Sequence, residues 1–263
     1  MLSIIITHHH TPELLQRCLQ SLKSALKDLD SEIIVCDNCC QGKCQKNQWP
    51  QVKFLCFSRN QGYTKLVNAG LKQARGDCFL ILNADTVVPQ VKDILLMLDY
   101  LAQHRQVGLV GPRLVGLDQK WQPSCFREHS LLTIISRRTF LSRTKLGQRL
   151  ISRLLYQDRD LNTIQEVDWL MGSCLMTTRK AVETIGLLDE RFKMYFSDAD
   201  WARRCRVHNL RVVYFPQATL IHWHQRSSHQ GRGIFDLFFN RMTRVHLKDA
   251  IKYFWKWRYK RKV

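Results

Sequence analysis

The chain has 263 residues, 45% of them hydrophobic and 24% charged, which is typical of a globular protein with one large α/β domain or two small ones. The formal net charge is +19, and the segment from residue 201 onward contains 15 lysines and arginines but two acidic residues. Such a basic segment points to a polyanionic partner. No apolar run approaches 18 residues, so we expect no transmembrane helix.

The cysteines bear on the cellular compartment. The N-terminal LSIIIT has neither a positive leader nor a small-residue cleavage site, so no signal peptide is expected. A reducing compartment then predicts that the ten cysteines are free thiols. Cys39, Cys40 and Cys44 cluster without the paired C-x-x-C spacing of zinc sites, so we favour a thiol-rich surface loop and leave zinc open.

Strands and helices alternate in the first part of the chain. Apolar runs predict strands at 2–6, 32–38, 52–58 and 79–82, and helical spacing predicts one helix from Thr11 and Pro12 onward and another over 62–74. This β-α-β-β-α-β order predicts a mostly parallel sheet with helices on both faces. A helix over 91–104 and a strand over 107–115 follow.

The rest of the chain is less regular. Residues 118–165 form an arginine-rich excursion that we expect to be partly helical between 130 and 156. A strand and a helix are then predicted over 167–186, and a strand over 210–216.

The tail mixes aromatic and basic residues, which favours an amphipathic helix at an anionic membrane surface. A helix packed on the domain is the alternative. The predicted apolar side comprises Phe235, Phe238, Phe239, Met242, Val245, Ile251, Phe254 and Trp255.

Polar residues follow the predicted strands at the edge where open α/β sheets bind ligands. Asp37 ends the second strand, and Asn83 and Asp85 follow the strand at 79–82. Asp85 is well placed for a divalent cation that carries phosphates. The alternative is that Asn83 and Asp85 cap the helix that begins near Gln90.

Five segments carry a family resemblance. They are THHHTPELLQRCLQSL near the start, CDN at 36–38, NQGYTKLVNAG at 60–70, ILNADT at 81–86 and MYFSDADWARRCRVHNLRVVYFPQATLIHWH at 194–224. Their order and spacing resemble glycosyltransferase family 2, the inverting GT-A enzymes, and most closely its rhamnosyltransferase-like members. The resemblance implies a GT-A domain over 1–230, with a nucleotide-sugar-binding half (1–105) and an acceptor and catalytic half (106–230). A basic helical tail over 231–263 would follow.

The resemblance assigns the donor side. Asp37 would accept a hydrogen bond from the nucleobase, and Thr7 would contact the nucleoside through its backbone. Asn60 and Gly62 would open the diphosphate loop, where glycine allows close approach of the backbone to phosphate at a helix N-terminus. Asn68 would brace this site. The alternative for Asp37 is a carboxylate that caps a turn.

The resemblance also implies metal dependence. Asp85 would bind Mg²⁺ or Mn²⁺, which neutralises charge on the leaving nucleoside diphosphate. Asn83 replaces the first acid of the family's DXD motif and implies a lighter ligand set. His222 and His224 are candidate third ligands or diphosphate contacts, with polar exit-loop residues as the alternative. Arg226 would lie in a loop that closes over the diphosphate.

On the acceptor side, the resemblance makes Asp198 the general base that deprotonates the acceptor hydroxyl. Asp200 is the second retained acid, while Ser197 replaces the usual glutamate. The alternative is that both acids cap the helix that follows. Trp169 and Gly172 stand where the family holds its acceptor, although Trp169 fits a core position equally well.

The implied function is inverting transfer of a sugar from dTDP-rhamnose or a UDP-hexose to a glycan or lipid-linked acceptor, in cell-surface polysaccharide synthesis. We expect a cytoplasmic protein and leave open peripheral contact with the inner face of the plasma membrane. Because Ser197 departs from the family pattern, a non-catalytic nucleotide-sugar or glycan binding protein is the alternative. No groove-reading helix or zinc module accompanies the positive charge, so we expect no nucleic-acid partner.

Overall fold

The first half of the chain forms the predicted alternation of strands and helices. A computed structural model describes residues 1–38, 48–223 and 240–258. Its first elements are β1 (Leu2–His8), α1 (Pro12–Ala25), β2 (Ser31–Asn38), β3 (Val52–Phe57), α2 (Tyr63–Gln73), β4 (Cys78–Asn83), β5 (Thr86–Val87), α3 (Val91–Gln103) and β6 (Val107–Val115).

The second half contains shorter elements. They are β7 (Trp121–Gln122), β8 (Cys125–Phe126), α4 (Leu131–Arg138), a 3₁₀ helix (Phe140–Arg143), α5 (Lys145–Leu154), β9 (Gln165–Glu166), β10 (Trp169–Leu170), β11 (Cys174–Thr178), α6 (Arg179–Ile185), α7 (Ser197–Val207), β12 (Arg211–His222) and α8 (Arg241–Trp257). The excursion is therefore partly helical, as predicted.

The main sheet has the order β3-β2-β1-β4-β11-β6-β12-β5. Strand β1 is parallel to β2 and β4, β2 is parallel to β3, and β6 is parallel to β12. This confirms an α/β fold with a mostly parallel sheet. Strand β11 runs antiparallel to β4, with Cys174 opposite Leu82. The turn before β11 therefore lies beside the carboxyl end of β4.

Apolar side chains cover both faces of the sheet. Ile5, Ile34 and Ile81 face α2 and α7, while the alternate residues Ile4 and Leu80 face α1 and α3. All of these side chains are buried, as is typical of parallel strands that carry helices on both sides. The paired cores fix the strand register, and the register in turn fixes which residues meet at the carboxyl edge.

Strand β12 extends beyond the predicted strand at 210–216. It continues through Pro216 to His222, and its pairing with β6 is irregular between Phe215 and Thr219. Proline has no backbone N–H for a regular ladder, and the irregularity accommodates it. The strand thus carries His222 to a position opposite Thr86.

Helix α8 packs on the domain, which was the alternative to the membrane-facing tail. Its buried residues are Thr243, Asp249, Ala250, Tyr253 and Trp257. Ile251 and Trp255, predicted for the apolar side, are 61% and 60% exposed. Two contacts hold the helix in this orientation: the buried Asp249 carboxylate accepts from the Lys193 N–H, and Trp257 Nε1 donates to Asp200. Phe235, Phe238 and Phe239 lie outside the described residues.

The cysteine expectation needs a correction. Cys56 is disulfide-bonded, whereas Cys18, Cys36, Cys78, Cys125, Cys174 and Cys205 are free. The cellular compartment sets the average redox state of thiols, but the fold determines which thiols lie close enough to pair. The cluster of Cys39, Cys40 and Cys44 lies outside the described residues. Among the helices described, none is long and apolar enough to cross a bilayer.

Candidate active site

The carboxyl ends of β1, β2 and β4 meet at one edge of the sheet. Thr7 is opposite both Cys36 and Asn83, and His8 is opposite Asp37. The Thr7 hydroxyl donates to Asn83 Oδ1 over 2.8 Å. The structure therefore brings Thr7, Asp37 and Asn83 together at the edge where the sequence places a ligand site.

Asp37 is oriented by a histidine that the sequence reasoning missed. The backbone N–H of Thr11 donates to His8 Nε2 over 3.0 Å, so the ring hydrogen is on Nδ1. That Nδ1–H donates to Asp37 Oδ1 over 2.8 Å, and both side chains are buried. A single tautomer therefore fixes the carboxylate. The signal was the first residue of the histidine triplet, which ends β1, whereas His9 and His10 are exposed.

The loop before α2 is tied to the same edge. Asn38, another residue without a predicted role, donates to Asn60 Oδ1 over 3.1 Å and accepts from the backbone of Gln61 over 2.8 Å. Gly62 has a φ of 82°, and a Cβ there would lie 2.6 Å from the Lys193 carbonyl. The close approach that requires glycine is thus to Lys193 within the fold.

Asn68 lies deeper than the strand ends. Its amide donates to the Leu188 carbonyl over 2.9 Å and to Glu190 Oε1 over 3.1 Å, and it accepts from the Leu188 N–H over 3.0 Å. The side chain is buried. Asn68 therefore braces the segment that leads to α7, and its contacts are with the protein itself.

Asp85 and His222 lie side by side where β5 pairs with β12. Their Oδ1 and Nε2 atoms are 3.6 Å apart, and Asp85 Oδ1 is shielded from solvent. Burial lowers the pKa of His222 to about 4, so the ring is neutral at physiological pH. A carboxylate oxygen and a neutral imidazole nitrogen at this separation fit a shared divalent cation.

Gln122 sets the orientation of this imidazole, and no sequence signal pointed to it. Its amide nitrogen donates to the His222 carbonyl over 3.1 Å, so its oxygen faces the ring and lies 3.0 Å from Nδ1. The ring hydrogen is then on Nδ1, and the Nε2 lone pair faces Asp85. Metal-binding histidines typically have such a partner on the other nitrogen.

Protein ligands alone do not complete a metal site. Within the described ranges, no group of three or more His, Cys, Asp and Glu side chains could hold an ion. Asp85 and His222 could hold Mg²⁺ or Mn²⁺ if substrate oxygens supplied further ligands. His224 and Arg226 lie outside the described residues.

Asp198 is the second residue of α7. Phe196, with a left-handed φ of 64°, precedes the helix and turns the chain into it. The Gly172 N–H donates to Asp198 Oδ2 over 3.1 Å, and the Ala199 N–H donates to Oδ1 over 2.9 Å. Burial outweighs these bonds and raises the pKa of the Asp198 carboxyl to about 6. This is a favourable value for a general base near neutral pH.

The turn at Gly172 joins the two halves of the site. Its carbonyl accepts a 2.6 Å hydrogen bond from the hydroxyl of Tyr63, and the next carbonyl, of Ser173, accepts from the Asn83 N–H over 3.0 Å. A Cβ on Gly172 would lie 2.7 Å from the Tyr63 hydroxyl, so a larger residue would displace the Tyr63 side chain. Asp198 is therefore linked through one turn to the end of β4, two residues before Asp85.

Asp200 and Trp169 have structural contacts. Asp200 is fully buried, and its Oδ1 accepts from Trp257 Nε1 over 2.9 Å and from Lys256 over 2.6 Å. Its Oδ2 lies 3.1 Å from Arg204. This placement argues against a substrate contact for Asp200. Trp169 is buried, stacks on Phe126 at 4.2 Å and corresponds to its core alternative.

Ser197 stands where the family resemblance predicts a glutamate. Its side chain is fully buried, and its hydroxyl forms no hydrogen bond within the described part of the chain. Because Ser197 is closed off from solvent, replacing glutamate with serine does not leave an open space there for an acceptor.

The carboxyl edge of the sheet thus carries Asp37, oriented by His8, and the Asp85–His222 pair as a candidate cation site, and the Gly172 turn links it to Asp198, whose pKa is raised. The family model for glycosyl transferase family 2 matches residues 3–186, and the chain belongs to this family. A relative from Mycobacterium tuberculosis, N-acetylglucosaminyl-diphospho-decaprenol L-rhamnosyltransferase, is 26% identical over an alignment of 270 positions, gaps included, that covers 96% of this chain and 85% of the relative. The O-antigen biosynthesis protein RfbC of Myxococcus xanthus is 27% identical over 88% of this chain and 18% of its own length.

Solved structures support the GT-A fold. GalNAc-T7 with UDP, GalNAc and Mn²⁺ has a TM-score of 0.63 at 15% identity, over 86% of this chain and 44% of that one. A mannosyltransferase from Pyrobaculum calidifontis, in complex with GDP-Man and Mn²⁺, has a TM-score of 0.57 at 15% identity, over 95% of this chain and 64% of that one. The chain thus spans less than two thirds of either structure.

Proposed function

We propose that this glycosyltransferase moves a sugar, with inversion, from a nucleotide-diphospho-sugar to a hydroxyl of a glycan or lipid-linked acceptor in cell-surface polysaccharide synthesis. The observation that carries the proposal is the position of Asp198, a carboxyl with a pKa of about 6 in the first turn of α7, hydrogen-bonded to the Gly172 turn that reaches the end of β4. The relative named as an L-rhamnosyltransferase favours dTDP-rhamnose as donor, with a UDP-hexose as the second choice.

Asp37, oriented by His8, is proposed to receive the nucleobase, and Thr7, Asn83 and the loop at Asn60 to surround the rest of the nucleotide. Asp85 and His222 would hold Mg²⁺ or Mn²⁺. When bound, this cation supplies positive charge for the leaving diphosphate.

The chemical step follows from the position of the base. Asp198 accepts the proton of the acceptor hydroxyl while the hydroxyl oxygen forms a bond to the anomeric carbon. The bond from that carbon to the diphosphate oxygen breaks, and its electron pair leaves with the nucleoside diphosphate. Attack from the face opposite the leaving group inverts the anomeric centre and requires no covalent sugar-enzyme species.

The acceptor is proposed to be held near Gly172, because the N–H of that glycine donates a hydrogen bond to Asp198, the proposed base. A lipid-linked acceptor would place the protein at the inner face of the plasma membrane. The alternative is a nucleotide-sugar or glycan binding protein without turnover, which the buried Ser197 in place of glutamate keeps open.

Turnover separates these two functions. Purified protein is incubated with Mg²⁺ or Mn²⁺, a panel of nucleotide-sugars and a lipid-linked acceptor, and nucleoside diphosphate release and the anomeric configuration of the product are measured. We expect nucleoside diphosphate release with at least one donor and an inverted product. Asp85→Asn should lose the release that the cation stimulates, whereas the control Asp99→Asn, at an exposed position, should keep it. Donor binding without release for every acceptor would favour the binding protein. A retained configuration would contradict the mechanism.

A further inference from the structure

Exposed apolar side chains are concentrated on one part of the surface. Among the described residues, five of the twelve exposed large hydrophobic side chains lie between 131 and 146. Phe140 is 74% exposed, Leu146 67% and Leu132 65%, and Leu131 and Ile135 complete the set. They belong to α4, the 3₁₀ helix and α5, which we call the docking hairpin (residues 130–154). We propose that the docking hairpin binds the surface of an anionic phospholipid membrane.

The charge of the hairpin identifies its partner. The docking hairpin (residues 130–154) contains six lysines and arginines and no acidic residue. Arg143, Lys145 and Arg149 are exposed and form no salt bridge within the described residues. Apolar side chains beside unbalanced positive charge are the features with which an interfacial helix binds anionic lipid. An anionic membrane provides negative charge and an apolar phase together. A protein partner would need a surface that is both acidic and apolar.

The apolar exposure is a property of a folded element. Ser130, Thr139 and Thr144 cap the three helices through their side-chain oxygens. The Gly147 backbone lies so close to the Leu141 carbonyl that a Cβ there would clash, so α5 packs directly on the 3₁₀ helix. In this folded hairpin Leu132, Phe140 and Leu146 are exposed, and they are available to a lipid surface.

The hairpin is anchored on the acceptor side of the site. The Arg127 N–H donates to the Leu154 carbonyl over 2.8 Å, and Trp169 Nε1 donates to the Arg127 carbonyl over 2.8 Å. Trp169 belongs to β10, which leads directly to Gly172 and thus to Asp198. A membrane bound at the hairpin would therefore lie on the side where the proposed function places a lipid-linked acceptor, and in that respect the inference rests on the proposed function.

Membrane binding can be measured independently of catalysis. The full-length protein is sedimented with vesicles of phosphatidylcholine alone or with about one third phosphatidylglycerol, without donor or cation. We expect binding to the anionic vesicles and an about tenfold or greater loss in Leu132→Ser/Phe140→Ser/Leu146→Ser. Arg143→Gln/Arg149→Gln should weaken binding and reduce its dependence on salt.

Matched controls separate the hairpin from the tail and from folding defects. Ile251→Ser/Trp255→Ser removes two side chains of similar exposure from α8 and should bind vesicles as the wild type does. The triple variant should retain its melting temperature and its turnover of a water-soluble acceptor. Three results would overturn the inference: no binding by the wild type, unchanged binding by the triple variant, or a wild-type dimer that the triple variant abolishes.

Discussion

Opposing effects act on Asp198. Two backbone N–H donors stabilise its ionised form, while removal from water destabilises it, and the desolvation is larger. The resulting pKa of about 6 leaves the carboxyl mostly ionised at neutral pH yet more basic than an exposed aspartate. The residue can therefore accept a proton under the conditions in which the protein works.

The pH dependence of turnover should report this pKa. Protonation of Asp198 removes the base, so kcat/KM should be constant above pH 7 and fall about tenfold per unit well below pH 6. His222 stays neutral throughout this range because burial holds its pKa near 4. The measurement is a kcat/KM profile from pH 5 to 8, with thermal unfolding at each pH as a control for folding. A flat profile down to pH 5 would exclude Asp198 as the base.

Gln122 offers an indirect test of the candidate metal pair, because it contacts His222 and not the cation position itself. Gln122→Leu deletes both hydrogen bonds that hold the His222 ring and its carbonyl, and loss of such a partner typically weakens metal binding about 10–100-fold. We expect a higher Mn²⁺ concentration for half-maximal donor binding and an unchanged donor affinity at saturating Mn²⁺. Gln148→Leu, on the exposed surface of α5, is the control. Equal Mn²⁺ requirements in both variants would argue against His222 as a ligand.

Helix α8 holds the segment that leads to Asp198. Asp249 is buried, and its Oδ2 accepts the backbone N–H groups of Lys193, Met194 and Tyr195 over 3.0, 3.1 and 3.2 Å. Four residues later the helix presents Tyr253 to the core, and Trp257 donates to Asp200. Both ends of the segment between Lys193 and Asp200 are therefore fastened to one helix.

Removal of the Asp249 carboxylate should destabilise the protein. Asp249→Ala removes a buried carboxylate that accepts three backbone N–H groups, which costs roughly 3 kcal/mol, and for a chain of this size the melting temperature should fall by roughly 6–12 °C. Calorimetry with Lys248→Ala, an exposed neighbour, as the control provides the comparison. A fall of the same size in both variants, or none in either, would show that the carboxylate does not fasten the helix.

The sequence predicts the local elements well, because buried apolar runs and helical spacing are local properties. The antiparallel direction of β11, the continuation of β12 through Pro216 and the rotation of α8 all depend on partners far along the chain. Composition and periodicity therefore leave these three features undetermined.

The candidate site shows the same division. Asp37, Asp85 and Asp198 stand at recognisable strand and helix ends, so the motifs identify them. Their orienting partners are less visible: Gln122 is 100 positions from His222, and Tyr63 is 109 positions from Gly172. Asp200, by contrast, was grouped with Asp198 by spacing, yet it is buried against α8.

The central claim is that Asp198 is the general base, and Asp198→Asn tests it most directly. The amide has nearly the same shape but cannot accept the proton, so kcat for nucleoside diphosphate release should fall about 10²–10⁴-fold. The donor dissociation constant should stay near that of Asp99→Asn, and thermal unfolding checks that the variant is folded, because the amide has one oxygen for the two backbone N–H groups that the carboxylate accepts. Release at the wild-type rate by a folded, donor-binding Asp198→Asn would contradict the account.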